Sequence, residues 1–332
     1  MNPELDNTEA VKKKIRLPIR SGALQQVLAF ASLIVLILFF SLASPNFFQF
    51  SNIVGILLST SVIGILALGV TFVIITGGID LSVGTAMTLC SVMTGVFITF
   101  WGFPTPLGVV LGILFGAFAG FLSGLAVAKM KIPPFIATLA VMMIAKGLAL
   151  VISGTKPIYF SDTPEFSQIA LGTIIPGLAI PNAVWIFLIM AIFGYIVLSK
   201  TVIGRYTFAL GSNEEATRLS GVNVNRWKII IYSIAGLFTG VAGVLMASRL
   251  NSAQPALGLG YELEAIAAVV IGGTSLSGGK GTMIGTVIGA LIMSVLTNGL
   301  RILSVPQEWQ TVVVGIVIIL AVYADILRRQ KA

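Results

Sequence analysis

Apolar residues run through this chain in long blocks, broken by short polar, glycine-rich or proline-rich stretches. A bilayer core takes about 20 predominantly apolar residues per helix. Nine blocks approach that length, at roughly 24–44, 53–76, 83–101, 107–128, 132–153, 182–198, 229–248, 283–300 and 308–325. A weaker tenth covers about 259–277, around the run from Ala265 to Ile271. The pattern predicts an all-α fold, a polytopic transmembrane helical bundle of about ten spans. Two longer connections remain. One is 154–181, with Pro157, Pro164, Pro176 and Pro181, and the other is 199–228.

Composition supports lipid as the solvent. Of the 332 residues, 57% are hydrophobic and only 10% charged, and mean hydropathy is +1.03. Soluble domains carry about 25% charge. The net charge of +8 would suggest nucleic acid in a soluble protein. Here the basic residues sit at span ends, where membrane topology places them, and no nucleic-acid-binding pattern accompanies them. The single cysteine, Cys90, lies in an apolar stretch and reads as a small buried hydrophobe, which leaves no disulfide framework and no metal cluster. Histidine is absent, which removes the commonest catalytic base and metal ligand. No cofactor is expected. The N-terminus opens on acidic and polar residues, then a basic cluster, then a block too long for a cleavable signal peptide.

Charge sets the orientation. Lys12, Lys13, Lys14, Arg16 and Arg20 precede the first span, and Arg328, Arg329 and Lys331 follow the last. Both termini are therefore expected in the cytoplasm, and the number of spans is even. With ten spans, Lys129, Lys131, Lys200, Arg205, Arg218, Arg226, Lys228 and Lys280 also fall inside. That makes 16 basic residues inside against three outside, Lys156, Arg249 and Arg301, while Lys146 lies within a span. The chain then divides into a basic cytoplasmic segment 1–23, a membrane domain 24–325 and a cytoplasmic tail 326–332. The 154–181 loop is external and 199–228 is cytoplasmic. Trp101, Trp185 and Trp309 fall at outer span ends, and Trp227 and Tyr323 at inner ends, the headgroup level such rings prefer.

One short segment occurs twice. Gly77-Gly78-Ile79-Asp80-Leu81-Ser82-Val83-Gly84 matches Gly272-Gly273-Thr274-Ser275-Leu276-Ser277-Gly278-Gly279 at five of eight positions. Each lies between two spans on the cytoplasmic side. The glycine pairs break a helix cheaply, and Asp80 or Ser275 is placed to cap the next one. Transporters are often built from repeats whose interrupted helices line the path. The second copy continues Gly279-Lys280-Gly281-Thr282 but fails the phosphate-loop pattern, with Thr274 in place of the first glycine and Gly281 after the lysine. No nucleotide site is found, so energy must come from a partner or a gradient.

Residues 209–228 read as a docking element. Asn213 or Ser212 can cap a short helix whose first turn carries Glu214 and Glu215, with Ala216 and Arg218 following and Gly221 ending it. Glu215-Ala216-Thr217, three residues, Gly221, nine residues and Ile231 together resemble the E-A-A-x3-G-x9-I pattern of ABC importer permeases. Thr217 replaces the second alanine, and Ser233 and Ile234 stand where the pattern often ends in Leu-Pro. Two further blocks, Ile75 to Gly84 and Ser252 to Ser275, and the run Leu210 to Val224, resemble the permeases of ribose, xylose, galactose and related importers. The resemblance extends from the first span to the last. It implies a bacterial inner-membrane subunit with an ABC ATPase partner in the cytoplasm and a periplasmic or lipid-anchored sugar-binding protein outside. A second permease copy, giving a homodimer, is expected as well. Ribose is the expected sugar. Xylose, galactose, autoinducer-2 and branched-chain amino acids remain alternatives.

No paired carboxylates, metal ligands or nucleophile–base arrangement suggest an enzyme. A gradient-driven transporter usually needs intramembrane carboxylates or histidines, and Lys146 is the one clear intramembrane charge. Asp80, Ser82, Gln254 and Asn298 are the candidates for the translocation path. Gly77, Gly78, Gly272 and Gly273 are the candidate helix breaks. Glu262 and Glu264 are expected near the outer face, where a binding protein would meet them.

Overall fold

The computed structural model describes residues 21–330 apart from 176 and 178. Lys12, Lys13, Lys14, Arg16, Arg20, Lys331 and Pro176 lie outside the described residues. Thirteen helices follow one another among those residues. They are α1 (Ser21–Ala43), α2 (Phe50–Ile75), α3 (Val83–Gly95, continued by a π-helical turn Val96–Phe100), α4 (Thr105–Ala128), α5 (Pro134–Ile152), α6 (Glu165–Leu171), α7 (Asn182–Lys200), α8 (Val202–Ser212), α9 (Glu214–Leu219), α10 (Val224–Leu250), α11 (Tyr261–Ile271), α12 (Met283–Ile302) and α13 (Gln307–Gln330). Nine of them are long and apolar enough to cross a membrane. The weak tenth block is α11, whose 11 residues rise about 16 Å, half a bilayer core. The expected tail from 326 continues α13 as far as Gln330.

Packing contacts give each helix its direction. Two helices, α2 and α10, form the interior, and residues 60–75 of α2 are uniformly buried. Gly69 of α2 lies against Ala235 and Phe238, and Gly78 against Tyr232, so α2 and α10 run antiparallel. Helix α4 also runs antiparallel to α10, through glycines that recur every fourth residue from Gly108 to Gly124. A Cβ on Gly116 or Gly120 would fall 2.2–2.6 Å from backbone of Tyr232, Gly236 or Gly240. Only small residues permit that approach, and in lipid, where apolar side chains gain nothing from leaving solvent, close backbone packing is what holds helices together. Thr71 on α2 and Thr286 on α12 share a hydrogen bond of 2.7 Å, and Gly55 lies by Asn298, so α12 also opposes α2. Helix α11 lies antiparallel to α12, with Gly289 against Ala268 and Gly285 against Gly272.

Nine long helices and the shorter α11 thus make up the bundle among the described residues. Between α10 and α11 the stretch 251–260 is a short strand followed by turns, and it leads from the far face into the bundle, where Gly258 touches Gly84. Helix α1 begins beside the start of α12, where Gln26 Nε2 donates to Thr282 Oγ1 at 2.9 Å. Helix α13 turns back after α12 at 303–306. Both ends of the described chain therefore emerge on the face that carries α8 and α9, here termed the near face.

The expected external loop is folded. Its strand Ile158–Tyr159 (β1) pairs antiparallel with Ser252–Ala253 (β2). Phe160 stacks on Phe166 with ring centroids 3.9 Å apart, both fully buried. Ser248 on α10 donates to the Phe166 carbonyl at 2.6 Å and accepts from the Ala170 amide at 2.9 Å, which holds α6 down on the bundle.

Candidate functional site

The near face centres on α9. Asn213 is its N-cap, and the side-chain oxygen accepts from the Ala216 amide at 2.9 Å. The two acidic residues expected in the first turn are there. Glu214 meets Lys228 of α10 at 2.6 Å and Arg218 at 3.3 Å, and Glu215 meets Arg218 at 3.2 Å. These pairs turn the helix so that its outer side is free. The Glu215 side chain is 66% exposed and Leu219 is 81% exposed. Gly221, just past the last turn, adopts the left-handed φ of +83°. This short helix thus presents an acid and an unburied leucine outward from the near face.

The sequence did not single out α8, which joins α9 to the bundle. Its Tyr206 ring packs on Trp227 of α10 at 4.6 Å. Its last turn is wedged between the two repeated segments. A Cβ on Gly211 would sit 1.7 Å from the Ile75 carbonyl oxygen and 2.5 Å from the Gly279 amide nitrogen. Those two atoms are themselves hydrogen-bonded, Gly279 donating to Ile75 at 2.8 Å. The repeated segments, far apart in sequence, thus meet one another and the root of α9 at a single point.

Both segments use one device to stop a helix. Gly77 donates to Ile74 and Gly78 to Val73, ending α2; Gly273 donates to Val270 and Thr274 to Val269, ending α11. Each is a Schellman motif, whose left-handed position is Gly77 (φ +80°) in one and Gly273 (φ +98°) in the other. Structurally the copies are therefore offset by one residue from their best sequence alignment. Gly78 and Gly272 do not take positive φ. Neither Asp80 nor Ser275 caps the next helix. Ser82 precedes α3 without a side-chain cap, and Thr282 caps α12 by accepting from Gly285 at 3.1 Å.

Asp80 and Ser82 lie deeper than the sequence suggested. Asp80 Oδ1 accepts from the Ser82 amide at 2.8 Å and from its hydroxyl at 2.6 Å, and both residues are buried. Thr138 of α5 accepts from the Leu81 amide at 3.2 Å, fixing the segment from the other side. Gly78 abuts Tyr232, eight residues into α10, about 12 Å from its near-face end. From there the chain climbs until Gly84 touches Gly258 and Glu262, so the starts of α3 and α11 meet inside the bundle. Glu262 is buried and accepts from the Gly260 amide at 3.1 Å. Gln254 donates to Ser252 at 2.9 Å on the far face. Asn298 is partly buried on α12, facing Gly55, and its side-chain oxygen has no protein partner among the described residues. Asp80 and Ser82 are together, whereas Gln254 and Asn298 stand apart from them. Lys146 borders a recess of about 10 Å³ beside Thr85 and Pro255, room for one water at most.

None of the four path candidates lines the large cavity of the bundle. That cavity, of about 540 Å³, opens between α2, α10, α11, α12 and α13 in the far half and holds Arg249, Tyr261, Glu264 and Arg301. Cys90 is buried, as its apolar setting suggested.

Comparison with known proteins finds the chain similar to transport permeases. Residues 52–322 match the model of a family described as branched-chain amino acid transport system / permease component. A ribose import permease protein from Haemophilus influenzae is 44% identical over 300 residues, covering 90% of this chain and 92% of its own. Its counterparts from Escherichia coli K12 and Bacillus subtilis are 45% and 44% identical, over 89% and 92% of this chain and 91% and 94% of theirs. No solved structure matches.

Proposed function

Since this chain belongs to the branched-chain amino acid transport system / permease component family, we propose that it is the membrane-spanning permease of an ABC importer whose cargo is ribose. It is a multi-pass protein of the bacterial inner membrane and a transport subunit. The observation that carries the reading is α9, capped, propped by Glu214 on Lys228, and offering Glu215 and Leu219 outward from the near face. On this reading the near face is the cytoplasm and α9 docks into an ATP-hydrolysing subunit. The excess of Lys and Arg among near-face residues supports that orientation. Ribose is favoured over xylose or an amino acid because relatives named for ribose import share 44–45% of their residues with this chain, against 34% for a xylose transport permease.

The mechanism follows from the wedge. Closure of the ATPase subunits on ATP displaces α9. Because α8 ends against backbone atoms, the displacement passes without slack into the ends of α2 and α11. These two helices end in the paired Schellman motifs, inside the bundle from the near face. An extracytoplasmic binding protein delivers sugar at the far face, and a second copy of this permease completes the path. ATP binding and the transport state can be linked only if the two states hold α9 differently.

The test is Glu215→Arg in the complex with its ATPase. Retained co-purification and unchanged ribose uptake would remove the docking role. The expected outcome is loss of both, with the permease still folded in the membrane.

A further inference from the structure

We infer that the far-half cavity is a transit subsite for the sugar, a weak binding site inside the permease itself. The inference rests on the importer reading above and adds where, and by which side chains, the cargo is held.

Three basic residues oppose the charge bias of the chain, and two of them, Arg249 and Arg301, line this one cavity. A guanidinium at the far ends of α10 and α12 complements the helix dipole, but a lysine or a solvated arginine would do the same. Here they share a space with Glu264 and Tyr261. Among the described residues no ion pair within 4 Å ties these charges together. Arg249 and Arg301 stand in the last turns of α10 and α12, so their guanidiniums reach the cavity at its far end, where Arg301 is exposed. Donors and an acceptor left without partners are groups waiting for a ligand.

The rest of the lining tells which ligand. Ser59, Thr297, Gln307, Gln310 and Thr311 add neutral hydrogen-bonding groups from α2, α12 and α13. Two guanidiniums and two amides donate in fixed planes, the carboxylate only accepts, the Thr297 and Thr311 hydroxyls, whose hydrogens go to helix carbonyls, accept, and the Ser59 hydroxyl does either. A small neutral polyol presents that mixture of donors and acceptors around its ring. Val62, Ile63, Val314 and Ile318 supply the apolar surface that its C–H faces need. The volume lies within the range of small-molecule sites and exceeds what one pentose fills, as suits a site that must also let go.

The closing experiment uses the complete transporter in proteoliposomes. Thr311→Cys, or Gln307→Cys if the first variant does not import, places a thiol on the cavity wall, and the native Cys90 is buried and silent. The rate of reaction with a water-soluble maleimide is measured with ribose, with leucine and with neither. Ribose should slow labelling severalfold and leucine should not. Adding Glu264→Gln or Arg301→Met should leave the sugar-free labelling rate unchanged, which shows the cavity intact, while weakening ribose protection at least about tenfold, as expected for losing a charge-assisted hydrogen bond. ATP-dependent ribose uptake is followed in the same vesicles. Uptake without protection, or protection by leucine alone, overturns the subsite. Absence of both uptake and protection overturns the ribose reading and the subsite with it.

Discussion

Replacing Gly211 by alanine should uncouple the transporter without removing any group that touches sugar or nucleotide. The added Cβ would lie 1.7 Å from the Ile75 carbonyl oxygen, and real Cβ atoms keep at least 3.0 Å, so something must move by about 1.3 Å. Nothing flexible is available. Ile75 O ends α2, and Gly279 N, 2.5 Å from the same Cβ, belongs to the segment that follows α11. Either α8 lifts away or the 2.8 Å bond between those two atoms opens. Overpacking of this kind costs about 1–3 kcal/mol, and a lost internal hydrogen bond adds about 0.5–1.5 kcal/mol. If half of that falls on the coupled state alone, the equilibrium shifts about tenfold, since 1.4 kcal/mol is a factor of ten. The assay compares ATP hydrolysis with ribose uptake in proteoliposomes, alongside the thermal unfolding midpoint. Uptake per ATP should fall about tenfold while hydrolysis persists. Gly147→Ala is the control, because its Cβ would meet nothing within 4 Å on α5. It should import normally and gain up to about 1 kcal/mol of helix preference. A Gly211→Ala protein with wild-type uptake and an unchanged unfolding midpoint would refute the wedge.

Asn213→Ala removes the cap of α9 and should cost about 1 kcal/mol locally; hydrogen exchange over 214–219 should quicken, and ATPase affinity should drop with it. Asp80→Ala strips two hydrogen bonds from Ser82, about 1–3 kcal/mol. Asp80→Asn keeps an accepting oxygen and should retain most uptake, so equal loss in both variants would point to the charge instead. Ser248→Ala leaves the Ala170 amide without its partner and should expose the 154–181 loop to protease on the far side, with uptake affected less than loop stability.

Some of this molecule could be read directly from its residues. Lipid burial needs only a long run of apolar side chains, and each of the nine strong blocks became a crossing helix because nothing in a membrane core competes for the backbone. Helix α9 was legible for a different reason. Its cap, its acidic first turn and its terminal glycine all act within nine residues, and local interactions of that kind survive without knowledge of the fold. The glycines at every fourth position of α4 are an equally local feature, but their role, the tight seam with α10, emerges only from the packing.

What the tertiary structure alone decided lies where distant segments converge. The tenth block looked weak because α11 has only 11 residues, and the 251–260 stretch before it is held by pairing with Ile158–Tyr159 and by packing against α3. The glycine repeat could be seen in the sequence, but not that its copies touch each other, stop their helices one residue out of alignment and receive Gly211 between them. The cavity was invisible for the same cause. Its charges come from α10, α11 and α12, and its polar wall from α2 and α13, so no spacing along the chain records them. Periodicity reports what a residue's neighbours in sequence do to it, whereas a chamber is defined by the absence of atoms between helices that meet only after folding.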